Sequence, residues 1–111
     1  MYIKRAEQRE WQSAGYAGAE RAVLHMNAKQ GRTSIVRLKA GARGPLHTHG
    51  ADEHAYVISG SVDIGGHILG AGDYLFTAAG EQHALVCLED SVLYASTERP
   101  IEVIEQQQTA A

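Results

Sequence analysis

Short apolar stretches recur along this chain at intervals of roughly ten residues, too brief for ordinary helices and spaced as strands are. They fall at 22–26, 33–38, 55–59, 62–64, 67–69, 74–77, 84–88, 91–95 and 101–104. Turn-forming residues bound each one: 27–31, 41–44, Gly60, Gly65-Gly66, 70–73 and 78–81, so that the 12 glycines lie almost entirely between the stretches. The pair Gly65-Gly66, between Val62-Asp63-Ile64 and His67-Ile68-Leu69, predicts a two-residue hairpin, because such turns favour positive φ at both central positions. Only 6–11 offers a helix of any length, and Gly15 and Gly18 prevent its continuation. The pattern therefore predicts an all-β, single-domain fold, a sandwich or closed barrel of the jelly-roll kind. Residues 1–20 form a short N-terminal arm, 21–105 the barrel, and 106–111 a flexible tail with nothing to bury.

Composition narrows the function classes. At 111 residues and 44% hydrophobic, the chain suffices for one ordinary core. Ten Lys and Arg are mixed with 13 Asp and Glu, which gives no basic face for nucleic acid and no acidic tract. No apolar run approaches the roughly 20 residues needed to cross a bilayer. The lone cysteine, Cys87, excludes an internal disulfide, and the charged start Met1-Tyr2-Ile3-Lys4-Arg5 has no apolar leader core, which predicts a cytoplasmic protein. A small molecule, or a second copy of the chain, is the partner this balance suits.

Candidate chemistry concentrates in Gly41-Ala42-Arg43-Gly44-Pro45-Leu46-His47-Thr48-His49-Gly50-Ala51-Asp52-Glu53. In an extended chain, side chains two apart share a face about 6.6 Å apart, so His47 and His49 can converge on one ion. Imidazole with carboxylate is a borderline donor set suited to zinc, iron, nickel or manganese, and Glu53 lies just beyond the bend. A further histidine, His83, comes after a glycine turn at the start of the apolar stretch 84–88.

These two segments resemble the paired motifs of the cupin superfamily. The first motif is a glycine, five residues, His-x-His, three or four residues, Glu, six residues and a glycine; Gly41, His47, His49, Glu53 and Gly60 match every fixed position. The second is a glycine, five residues, Pro-x-Gly, two residues, His, three residues and Asn. Gly72, Gly80 and His83 fit it, while Ala78 replaces the proline and Cys87 the asparagine. The resemblance implies one divalent metal ion held by His47, His49, Glu53 and His83, and it often implies a homodimer, for which Trp11 and Tyr16 of the arm are a reasonable contact. The runs Trp11 to Tyr16, Val23-Leu24-His25 and Gly31 to Leu38 are similar to the branch that includes the cupin domain of ChrR-type anti-sigma factors and small dioxygenases. Nothing in the chain resembles the helical, zinc-binding sigma-contacting domain of such factors.

Two functions are implied. One is a metal-dependent enzyme of dioxygenase, isomerase or lyase type acting on a small oxygenated organic molecule, with Glu53 as ligand or as general acid or base. The other is a zinc-binding sensory or regulatory module without catalysis. Several neighbours need weighing. His54 falls on the face opposite Glu53 by strand alternation and is read as no ligand. His25 and His67 are read as surface or structural histidines. Cys87, two residues beyond Leu85 and four beyond His83, shares their face: it is either a thiol at the metal or, the commoner fate of a free cysteine, a small buried hydrophobe. Tyr56, Tyr74 and Phe76 suit packing more than a pocket. Arg37, Lys39 and Arg43 are candidates to hold a substrate carboxylate, although such cations are usually solvated.

Overall fold

The computed structural model describes residues 1–104, excluding the His49 side chain. The predicted tail at 106–111 lies outside the described residues. Nine strands come after a single 3-10 turn at Ala6–Gln8: β1 (Trp11–Ser13), β2 (Ala19–Met26), β3 (Arg32–Leu38), β4 (Arg43–His49), β5 (Glu53–Ile64), β6 (His67–Gly70), β7 (Tyr74–Thr77), β8 (Gln82–Thr97) and β9 (Ile101–Val103). The all-β architecture is the one the apolar pattern predicts. The hairpin at Gly65-Gly66 forms with positive φ at both glycines, joining Ile64 to its ladder partner His67. Residues 11–13 of the arm pair with β2 as β1, and Ala19 enters the core.

Every pairing is antiparallel, and β8 is the spine. Along one edge it pairs first with β4 and then with β3; along the other it pairs with β5 from Leu85 to Thr97. Two pairs of stretches read separately in the sequence, 55–59 with 62–64 and 84–88 with 91–95, are therefore single long strands. Their interruptions are bulges rather than ends. The β5–β8 register slips repeatedly between Val57 and Val62, where Gly60 has φ +90°. Gly60 also presses against β8, since a Cβ there would stand 2.2 Å from Ser91 Oγ and 2.4 Å from the Asp90 carbonyl oxygen. A bulge inserts residues into one strand and bends it.

That bend curls the sheet into a half-barrel. Glu53 is the ladder partner of Thr97 and Ile64 that of Leu85, so Glu53 and His83 lie toward opposite ends of the β5–β8 ribbon. At about 3.3 Å per residue, a flat ribbon of this length would hold its ends roughly 30 Å or more apart. Their side chains instead approach to 3.8 Å, so the sheet curls back on itself. Its concave side carries the core of Ala19, Leu38, Ala42, Val57, Val62, Ile64, Cys87 and Leu93. The outer face leaves Tyr56, Ile58, Tyr74 and Phe76 exposed. Among the described residues, no helix is long and apolar enough to cross a membrane.

Candidate functional site

The site is built where β4 meets the start of β8. His47 and His83 are ladder partners across these strands, and their rings meet edge to face with centroids 4.6 Å apart. The Nδ1–H of His47 donates to the Pro45 carbonyl oxygen at 3.0 Å. A carbonyl only accepts, so Nδ1 carries a proton, and in the neutral ring that leaves the Nε2 lone pair for a metal. Glu53 arrives from the start of β5: its Oε1 stands 3.8 Å from His83 Nε2, with the two side chains 14% and 12% exposed. Burial pushes the Glu53 carboxyl up to about 7. His49 continues β4 and pairs through its backbone with Ile101.

Donors bound about 2.1 Å from one tetrahedral ion stand about 3.4 Å apart. The Glu53–His83 separation is within a few tenths of an ångström of that spacing. Among the described residues, no three ligating side chains are yet drawn into one cluster. The donor chemistry nonetheless fits a divalent ion: a buried carboxylate beside two histidines, one with its tautomer fixed.

A pocket of about 130 Å³ opens on these groups, walled by Val36, Ile64, Leu85, Leu93 and Tyr16. A second space of about 360 Å³ adjoins it, because Tyr16, Val36, Glu53 and Ala95 line both. Tyr16 reaches the interior by lying against β4 at Gly44, where a Cβ would stand 3.1 Å from its hydroxyl and ring. Burial first, and then the charges of Cys87 and Glu53, push its phenol up to about 12. Tyr16 therefore faces the cavity.

The remaining sequence candidates separate cleanly. His54 lies on the outer face, hydrogen-bonded to Tyr74 and packed on Phe76. His25 is exposed beside Tyr2, and His67 is exposed. Cys87 points inward as its parity with Leu85 requires, but deeper in the core: 1% exposed, with Sγ 2.8 Å from the Glu89 carbonyl oxygen and absent from the pocket walls. Arg37 stacks 3.8 Å over Trp11 and pairs with Glu20 at 3.1 Å, away from the pocket. The cations that do line the larger space are Arg21 and Arg32, which the sequence pattern alone does not single out. Strand parity carries the signal: Arg32, Ser34 and Val36 alternate along β3, and Arg21 is the ladder partner of Val36.

Comparison with known proteins agrees with this architecture. The family described as ChrR cupin-like domain matches residues 1–102. A search of curated proteins gives no match. An acetylacetone dioxygenase from Acinetobacter johnsonii superposes with a TM-score of 0.83 at 19% identity, covering 99% of this chain and 83% of that one. An RmlC-like cupin from Shewanella frigidimarina does so at 0.78 and 25% identity, covering 95% and 94%. The structure of Rhodobacter sphaeroides SigE in complex with the anti-sigma ChrR matches at 0.72 and 24% identity, covering 84% of this chain and 50% of that one. The shared fold is the cupin jelly roll.

Proposed function

The chain belongs to the ChrR cupin-like domain family, and from that premise we propose that it is a metal-dependent enzyme acting on a small oxygenated organic molecule. His47, His49, Glu53 and His83 hold one divalent ion in this reading, zinc, iron, nickel or manganese being compatible with the donors. The observation that carries it is the approach of Glu53 to His83 beside His47, in the wall of one pocket. A bound ion supplies Lewis acidity to a substrate oxygen. The chain supplies the rest. Val36, Ile64, Leu85 and Leu93 keep water away from the reacting atoms. Glu53, with a pKa near neutrality, takes or returns a proton at its carboxylate oxygen when it is not a ligand. The dioxygenase likeness favours diketones as first substrates to try.

A second reading is favoured by the family match and by the anti-sigma likeness: a zinc-binding regulatory module that closes on a ligand and is read by a partner protein. Metal content of the purified protein, and then oxygen uptake with small diketones or phenolic acids after iron loading, separates the two. Turnover with stoichiometric iron supports the enzyme; tightly held zinc without turnover supports the module.

A homodimer belongs to the same proposal. The exposed aromatic outer face, with Tyr56, Tyr74 and Phe76, supports it as the contact between copies. A cytoplasmic location is likewise proposed, supported by the free, buried thiol of Cys87.

A further inference from the structure

The larger space beside Glu53 is lined by two arginines whose buried Nε–H donors no described residue satisfies. Arg21 comes from β2 and Arg32 from the first position of β3, and both line the pocket of about 360 Å³. The Nε atom of each is buried and makes no hydrogen bond among the described residues. Neither arginine takes part in the ion pairs that engage Lys29 and Arg37 with Glu98 and Glu20. The charges that act on Arg21 are those of Arg32, which repels it, and of Tyr16; burial, the largest cause, and Arg32 both lower its pKa. Glu53 lines the same pocket.

A buried N–H donor left unpaired costs stability, and two neighbouring cations each carrying one favour an anion that completes both. The guanidinium fork matches a carboxylate through two parallel hydrogen bonds. The rest of the wall combines the hydroxyls of Ser34 and Thr97 with the apolar Val36 and Ala95, which suits an organic body rather than a bare inorganic ion. We infer that Arg21 and Arg32 form a carboxylate-binding site and that this pocket takes small organic acids. This site stands on the arginines and does not require the metal. Where the far end of the acid lies rests on the metal reading. Glu53 borders both spaces, so an acid anchored on the arginines directs its other oxygenated carbon toward His47 and His83.

The test is thermal unfolding and calorimetric titration of the full chain, stripped of metal with the chelator then removed. Pyruvate and acetate serve as probes, with acetamide as the neutral analogue and sodium chloride holding ionic strength constant. Pyruvate and acetate are expected to raise the unfolding temperature and acetamide to leave it unchanged. Arg21→Met and Arg32→Met should each weaken pyruvate binding by at least about tenfold. Each variant should also unfold at a higher temperature than the parent in the absence of acid, because an unpaired buried donor has been removed; a structural pairing role would move that temperature down. The proposal is overturned if acetate protects no better than acetamide, if protection survives in both variants, if it appears only after zinc is added, or if inorganic phosphate protects as well as pyruvate. Failure of zinc binding with carboxylate binding intact would sink the metal reading alone.

Discussion

Glu53 Oε1 lies 3.8 Å from His83 Nε2, although the ladder between β5 and β8 sets these residues toward opposite ends of one ribbon. The bulge at Gly60 brings them together. Its φ of +90° and its close approach to Ser91 exclude a side chain. Gly60→Ala is therefore expected to destabilise the protein by at least about 2 kcal/mol and to weaken zinc affinity in the fraction that folds. Urea unfolding with and without zinc checks both. Unchanged stability would show that the bend does not depend on this backbone conformation.

Removing a ligand should act more sharply than loosening its support. Disturbing an outer partner of a metal ligand typically weakens affinity about 10–100-fold. His83→Ala and His47→Ala should each weaken zinc binding by at least about 100-fold, as measured by competition with a chromophoric chelator, while His54→Ala leaves it within about twofold because that ring faces outward with Tyr74. Full metal retention in both ligand variants would refute the assignment.

In the metal-free protein, Glu53 makes stability depend on pH in a defined direction. Its carboxyl is raised from 4.5 to about 7 by burial, so the folded state holds the proton more tightly than the unfolded chain. The contribution is fully present below about pH 4.5, is lost progressively as pH rises through 7, and amounts to a few kcal/mol at most. Glu53→Gln should flatten this decline and unfold later than the parent at about pH 8 without metal, while losing zinc affinity. Chemical unfolding of metal-stripped protein across this range checks it; a parent whose stability rises over the interval would contradict the buried, neutral carboxyl.

Cys87 should behave as core, not as chemistry. With 1% exposure and its thiol directed to the Glu89 carbonyl, it should react with a thiol reagent only when the protein unfolds. Cys87→Ala should cost about 1–2 kcal/mol of stability and leave zinc stoichiometry unchanged. A loss of metal in that variant would return the thiol to the site.

The chain's own pattern determined where strands run, where glycine turns fall, and which histidines and carboxylates stand at motif spacing. All three are local properties: a period of two, a positive φ, a fixed count between histidines. Strand ends were less legible, because Gly60 reads like a turn when it is a bulge inside β5, and only the partner strand distinguishes the two. Parity correctly aimed Cys87 inward but could not set its depth, which depends on how far along the curled sheet it sits. Arg21 and Arg32 were legible only once Val36 was known to face the cavity, for alternation separates two faces without saying which is inside. The meeting of Glu53 with His83, and of two arginines in one pocket, was decided by curvature alone: long-range closure brings together residues that no local pattern relates.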